Sequence, residues 1–222
     1  MNILISGANR GLGLGFVRRY LARNDSVWAC YRSDSGSLTD IDDENLHHVV
    51  WDVGSDAGPV GDLPDTIDLL INNAGIYGPG KDGQSLDRIT SEAMHEVFNI
   101  DCVGPLRVVQ HLKGRVIAAK GVIANVSSKM GSSGDNGSGG TYAYRAAKAG
   151  LVIVSKSMAV DLAPFGVHVI TLHPGWVQTD MTHHTGLIDI ETSVTGMTEV
   201  IADARSYPAG AFIAFDGQSV PY

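Results

Sequence analysis

The feature that most constrains this chain is the alternation of short, β-branched apolar runs with segments of helical periodicity. Near-continuous apolar strands joined through helices are typical of a parallel sheet that is covered on both faces. Because crossovers between parallel strands are right-handed, the pattern predicts an α/β fold: a doubly wound parallel sheet of about seven strands with helices on both faces. The predicted strands are Asn2–Ser6, Ser26–Tyr31, Leu46–Trp51, Ile67–Ile71, Gly121–Ser127, Val167–Leu172 and Ala211–Phe215.

Helical spacing of apolar residues predicts three long helices. They are Leu14–Arg23, Ser91 to about Leu112 with a bend or division at Gly104 and Pro105, and Tyr144–Leu162. Residues 54–65 are rich in Gly and Pro, so a helix there is brief or absent. The Gly/Ser-rich stretch 129–140 is predicted to be a flexible surface loop. Residues 182–193 have little periodicity and are expected to be mobile.

Length and composition indicate one well-packed domain. The 222 residues, 44% of them apolar, are enough for a single domain over 1–222. Cys30 and Cys102 are far apart, which fits a reducing cytosol and no disulfide framework. The first strand begins at Asn2 and leaves no room for a signal peptide, and no apolar run approaches the ~20 residues of a membrane span. We therefore expect a cytoplasmic protein. The net charge of −8 without a Lys/Arg cluster argues against nucleic-acid binding.

A glycine-rich turn follows the first strand. Gly7, Gly11 and Gly13 stand between this strand and the first helix, where glycines permit positive φ and a close approach of a pyrophosphate to the backbone. The N-terminus of the following helix offers free N–H groups to phosphates. A plain structural turn with incidental glycines is the alternative reading of this motif.

Tyr144 and Lys148 are four residues apart, so they lie on one face of the predicted helix. A phenol normally titrates near ~10, and a neighbouring ammonium favours the phenolate. Tyr144 could therefore donate a proton to a developing alkoxide or accept one from an alcohol. A solvated helix with a charged face is the alternative for this spacing alone. Tyr142 has Ala146, not a lysine, four residues after it, and we interpret it as a pocket or packing residue.

Five motifs then occur in order along the chain. They are SGANRGLG at Ser6–Gly13, WDV with Asp52, NNAG at Asn72–Gly75, NVSS ending at Ser128 and followed by YRAAK at Tyr144–Lys148, and HPGWVQTD at His173–Asp180. With them the chain resembles the short-chain dehydrogenase/reductase family over essentially its whole length. The segments DNGSGGTYAYRAAK and FIAFDGQSVPY look most like its small carbonyl-reductase branch, similar to sniffer and C-factor proteins.

The resemblance implies a Rossmann fold, no metal, and a set of site residues. Ser128 would orient the substrate oxygen, and Lys148 would hold the ribose hydroxyls and assist Tyr144. Asp52 would meet the adenine amino group, while Val177 and Thr179 would lie against the nicotinamide carboxamide. The implied cofactor-binding residues are Gly7, Asn9, Arg10, Gly11, Leu12, Gly13, Arg32, Asp52, Val53, Asn73, Ala74, Gly75, Tyr144, Lys148, Pro174, Gly175, Val177 and Thr179.

One position departs from the family pattern. The family usually has an asparagine on its middle helix, three residues before the glycine of a Gly-Pro-like pair, where it holds a water that passes protons to the lysine. Asp101 stands there in this chain, and Asn99 is turned roughly 200° away at ~100° per residue on an ideal helix. Asp101 could accept hydrogen bonds from water and Lys148, and its charge could change the pH optimum. We therefore keep Asp101 as a catalytic candidate and leave open whether it takes the place of the asparagine in the proton relay.

The end of the second strand predicts NADP(H) in preference to NAD(H). Enzymes that use NAD usually place an acid there, whereas this strand is followed directly by Arg32 and no acid occurs before Asp34. Arg32 and Arg10 could meet a 2′-phosphate from two sides as charge-assisted guanidinium contacts. A solvated strand-end arginine is the alternative for Arg32.

The function predicted from these features is hydride transfer between NADP(H) and a small aldehyde, ketone, quinone or alcohol. An NADP(H)-binding signalling or redox-sensing protein with little turnover is the alternative. An epimerase or dehydratase, which carries an extra C-terminal substrate region, and an enoyl reductase, which has a wider Tyr-to-Lys spacing, are disfavoured. The substrate pocket is predicted from segments 76–83, 129–142 and 176–195, with Tyr142, Met130 and Trp176 as its apolar lining. The choice between a monomer and a homodimer or homotetramer stays open.

Overall fold

The computed structural model describes residues 1–222. All seven strands form one parallel sheet in the order β3-β2-β1-β4-β5-β6-β7. This confirms the predicted doubly wound sheet. The strands are β1 Asn2–Ser6, β2 Ser26–Tyr31, β3 Leu46–Val50, β4 Leu69–Asn72, β5 Val122–Val126, β6 His168–His173 and β7 Phe212–Ala214.

Five α-helices cover the two faces of the sheet. They are α1 Gly11–Leu21, α2 Ser91–Phe98, α3 Gly104–Ala119, α4 Tyr142–Leu162 and α5 Ile190–Ala202. Helices α1 and α5 pack in one apolar core, which includes Phe16 and Met197. Helices α3 and α4 pack in a second core on the other face, with Leu112 and Met158 among its buried residues. No helix in the structure combines the length and apolar character that a membrane crossing requires.

Helix α5 is the element that the sequence prediction missed. Its sequence, IETSVTGMTEVIA, is rich in Thr, Val and Gly, which are weak helix formers. Burial stabilises it instead, because Val194, Met197 and Ile201 lie against the sheet. Asp189 caps its start by accepting a hydrogen bond from Thr192 N at 2.8 Å. The expectation of a mobile segment over 182–193 is therefore wrong for its last residues, which cap and begin this helix.

The helix predicted from Ser91 to about Leu112 is divided in the structure by a π-helical turn just before Gly104. Helix α2 ends at Phe98, a π-helical turn spans Asn99–Val103, and α3 begins at Gly104. Single π-helical turns occur mostly inside α-helices and often at functional sites. Here the turn carries Asp101, which is fully buried, towards α4.

The strand order reverses direction between β1 and β4, because β1–β3 extend to one side and β4–β7 to the other. In open α/β sheets ligands bind outside the carboxyl ends of the strands at such a point. The glycine turn follows β1 and the NNAG motif ends β4, so both lie at this position.

Candidate active site

A cavity of about 1400 Å³ opens at the carboxyl ends of the strands. It is lined by every predicted site residue except Gly13 and Asp101. Gly13 lies beneath the glycine turn, where a Cβ would overlap the carbonyl oxygen of Gly7. Asp101 lies behind Lys148 and is fully buried. The structure thus brings the residues of five separate motifs to one site.

The glycine turn forms a narrow backbone cradle at one end of this cavity. Gly7 has a φ of +64°, and a Cβ there would stand 2.7 Å from the Cα of Ala74. Asn73 supports the turn, since its Nδ2 donates to Gly7 O at 2.9 Å and to Ser6 O at 3.2 Å. The residue before α1, Arg10, makes no side-chain cap, so the first N–H groups of the helix have no capping side chain. This arrangement fits a pyrophosphate.

Two arginines lie at the same end of the cavity. Arg32 is exposed and forms no ion pair. Arg10 Nη1 lies 3.7 Å from Asp180 Oδ2, and about two thirds or more of each side chain is exposed, so this pair is weak. The nearby Asp34 carboxylate accepts a hydrogen bond from Gly36 N at 2.9 Å. Asp52 lines the cavity and accepts one from Gly54 N at 2.9 Å.

Tyr144, Lys148 and Ser128 all line the cavity. All three are buried. Lys148 Nζ stands 5.6 Å from the centroid of the Tyr144 ring and donates to Val126 O at 3.2 Å. Burial raises the pKa of Tyr144, and Asp101 adds to this, while Lys148 and a hydrogen bond with Ser128 act in the opposite direction. From the spacing alone, Lys148 was expected to favour the phenolate, but burial outweighs the effect of Lys148 on the pKa of Tyr144. Tyr144 is therefore a protonated phenol at neutral pH.

Asp101 and Lys148 form a buried ion pair, with Lys148 Nζ 3.1 Å from Asp101 Oδ2. Asp101 Oδ1 accepts a hydrogen bond from Ile76 N at 2.8 Å. Burial lowers the pKa of Lys148, but the Asp101 carboxylate and Tyr144 outweigh it, so that the pKa is raised and the lysine stays charged. Asn99 bonds elsewhere, to Gly54 O and Arg107. Asp101, and not Asn99, is the residue that contacts the lysine.

The segment after β6 also lines the cavity. Val177 forms a parallel bridge with Ile188, and Thr182 Oγ1 donates to the carbonyls of Val177 and Thr179. Burial lowers the pKa of His173 to about 4. Its neutral Nδ1 accepts a hydrogen bond from Lys129 N at 3.2 Å.

Residues from all three predicted pocket segments line the cavity, but residues 80–83, 139–142 and 183–195 do not. Ile76, Tyr77, Met130 and Trp176 line the cavity. Tyr142 does not, and it is exposed. The cavity-lining residues that sequence reasoning missed include Tyr31, Trp51, Glu96, Ile100 and Arg145. Tyr31 and Trp51 could have been found, because each directly precedes a candidate residue at the end of a strand.

With this geometry in place, the sequence profile of the short chain dehydrogenase family matches residues 1–187. The chain belongs to the short-chain dehydrogenase family. The resemblance inferred from the five motifs is thereby confirmed. The chain is similar to C-signal of Myxococcus xanthus, to which it is 40% identical over 157 residues, covering 70% of this chain and 93% of that protein.

Two solved structures show how closely the fold of this short-chain dehydrogenase follows its relatives. The carbonyl reductase Sniffer of D. melanogaster has a TM-score of 0.89 at 27% identity, with 100% of this chain and 99% of that chain covered. The NADPH-bound carbonyl reductase from chicken fatty liver has a TM-score of 0.87 at 28% identity, covering 100% and 98%. The likeness extends over the full length of the chain.

Proposed function

We propose that this protein is an NADP(H)-dependent carbonyl reductase, in which Tyr144 exchanges a proton with a small carbonyl or alcohol substrate. The observation that carries the proposal is the convergence of Tyr144, Lys148 and Ser128 in the same cavity as the glycine cradle. The structural likeness to carbonyl reductases, one of them with NADPH bound, supports it.

The residues present fit a dinucleotide. The glycine cradle and the uncapped start of α1 suit the pyrophosphate, and Arg10 and Arg32 suit a 2′-phosphate. Lys148 and the segment after β6 line the part of the cavity beyond the cradle, where the nicotinamide end would lie. When bound, the nicotinamide supplies or accepts the hydride, and the substrate oxygen must exchange a proton with the protein.

Tyr144 is the group that exchanges this proton. In reduction its O–H donates to the oxygen of the carbonyl as that oxygen becomes an alkoxide, which leaves a phenolate stabilised by the charged Lys148. Ser128 donates a hydrogen bond to the same oxygen and orients it. The raised pKa of Tyr144 keeps the phenol protonated at neutral pH, as donation to a carbonyl oxygen requires.

The alternative, an NADP(H)-binding signalling protein with little turnover, is favoured by the likeness to C-signal. The two functions differ in turnover. We expect wild-type protein to oxidise NADPH, followed by its absorbance, when aldehydes, ketones and quinones are supplied as a panel. Binding of NADPH without oxidation by any compound would favour the signalling function.

Replacing Asp101 by asparagine is expected to change the pH profile of reduction. Asp101 raises the pKa of Tyr144, so without its charge the phenol ionises at a lower pH. Since ionised Tyr144 cannot donate, the alkaline fall of kcat/KM moves to lower pH, while activity near neutral pH is kept or mildly increased. The asparagine oxygen can still accept from Ile76 N. The pH dependence of kcat/KM checks this.

The matched control is Glu96→Gln, which removes an unpaired, exposed carboxylate from the same cavity. We expect its alkaline limb to coincide with that of the wild type. An Asp101→Asn variant that fails to fold would indicate that Asp101 is a structural acceptor and would contradict its role in the proton exchange.

A further inference from the structure

Gln84 is a fully buried glutamine outside the motifs described above. It ends a short 3-10 turn, Lys81–Gln84, in the segment after β4. Burying a carboxamide is unfavourable unless its polar atoms are hydrogen-bonded. Here Nε2 donates to Tyr77 O at 2.8 Å and to Pro79 O at 2.9 Å, and Oε1 accepts from Tyr144 N at 3.0 Å. Only one orientation of the amide serves these two carbonyls and one N–H.

The bond to Tyr144 N lies at a point where α4 has no cap of its own. The first N–H groups of a helix have no intrahelical partner. Thr141, which precedes α4, has a φ of 53° and makes no side-chain cap. Gln84 supplies the missing acceptor from 60 residues away. The N–H that it binds belongs to the residue that carries the phenol.

The bonds from Nε2 hold the neighbouring wall of the cavity. The ring of Tyr77 lies against that of Tyr144, with centroids 5.1 Å apart and planes tilted by 45°. The Tyr77 hydroxyl is 3.4 Å from Thr141 Oγ1. Both rings line the cavity. One buried amide therefore connects the backbone of Tyr77 to the backbone of Tyr144.

We propose that Gln84 is a positioning residue for Tyr144, and this inference rests on the proposed reductase function. Its carboxamide fixes the start of α4 against the Tyr77 segment, so that the phenol meets the substrate oxygen at hydrogen-bonding distance. Gln84 does not line the cavity and acts only through the two tyrosines. A misplacement of about 1 Å can lower a rate by ~10²-fold.

The first test is Gln84→Leu, which keeps much of the side-chain volume and removes all three hydrogen bonds. We expect kcat for carbonyl reduction to fall about 10- to 100-fold. The affinity for NADPH, measured by fluorescence titration, should stay close to that of the wild type, because the cradle is unchanged. The control is Gln110→Leu, an exposed position on α3, which should keep wild-type kcat. All proteins are assayed at a temperature where circular dichroism shows each to be fully folded.

The second test is the pH dependence of Gln84→Glu. A neutral carboxylic acid can still donate one hydrogen bond and accept from Tyr144 N, whereas a carboxylate has no donor for the two carbonyls. The ratio of variant to wild-type kcat should therefore rise as the pH falls from about 8 to about 5.5. A purely structural role, assayed where both proteins are folded, would leave this ratio constant.

The outcomes are distinguishable. A constant ratio for Gln84→Glu, or a Gln84→Leu variant with wild-type kcat or with kcat and NADPH affinity reduced together, would overturn the positioning role while the reductase function stands. If Gln84→Leu does not fold, the pH dependence of Gln84→Glu decides. A wild type that binds NADPH and reduces no carbonyl would overturn the proposed function, and this inference with it.

Discussion

Replacing Tyr144 by phenylalanine is expected to lower kcat for carbonyl reduction by a factor of roughly 10²–10⁴, the usual contribution of a positioned acid or base. The variant lacks only the hydroxyl, so the ring still packs against Tyr77 and beneath Lys148. The dinucleotide would rest on the glycine cradle and Lys148. The affinity for NADPH, followed by its fluorescence, should therefore be nearly that of the wild type.

Tyr142→Phe is the matched control for this substitution. Tyr142 is in the same first turn of α4, but it is exposed and lies outside the cavity. We expect its kcat to equal that of the wild type. Near wild-type turnover in Tyr144→Phe would show that another group donates the proton, and a large loss in Tyr142→Phe would identify the other tyrosine.

The second large effect concerns the choice between the two dinucleotides. We expect wild-type protein to have a higher kcat/KM with NADPH than with NADH, and Arg10→Ala/Arg32→Ala to lose most of this preference. A hydrogen bond to a charged group contributes about 1.5–3 kcal/mol, and about 1.4 kcal/mol corresponds to tenfold. Both arginines are exposed, which weakens each contact. The ratio of the two kcat/KM values should fall roughly 10²-fold in the double variant.

The control variant also removes two positive charges, but from arginines that lie outside the cavity. Arg18 and Arg88 are exposed, form no ion pair and do not line the site, so Arg18→Ala/Arg88→Ala should keep the wild-type preference. Equal efficiency of wild-type protein with NADH and NADPH would contradict the cofactor preference. A double variant at Arg10 and Arg32 that kept the preference would contradict its assignment to these residues.

The sequence predicts the fold well because its signals are local. Strand β2 has the bounds that its β-branched and aromatic run predicts, Ser26–Tyr31. Helix α5 could not be predicted with the same ease, since its stability comes from burial of Val194 and Met197 against the sheet. Its local signals, the Asp189 cap and the spacing of Ile190, Val194, Met197 and Ile201, were present but weak in a segment rich in Thr.

The candidate site likewise contains some residues that local sequence motifs predict and others that depend on distant contacts. The glycine turn and the Tyr144–Lys148 spacing are local motifs, and the structure brings them together in the cavity. Gln84 carries no local signal, because its role depends on a contact with Tyr144 60 residues away. The direction of the Tyr144 pKa shift also depends on burial by several distant segments, which spacing within one helix cannot show.

The most direct test of this account is whether a hydride passes from NADPH to a carbonyl carbon within this protein. Wild-type protein is incubated with an aldehyde and NADPH that carries deuterium at both C4 positions of the nicotinamide, and the alcohol is analysed by mass spectrometry. We expect an alcohol with deuterium on its carbinol carbon, formed by the wild type and nearly absent with Tyr144→Phe. NADPH that stays bound and deuterated, with no labelled alcohol from any carbonyl of the panel, would contradict it.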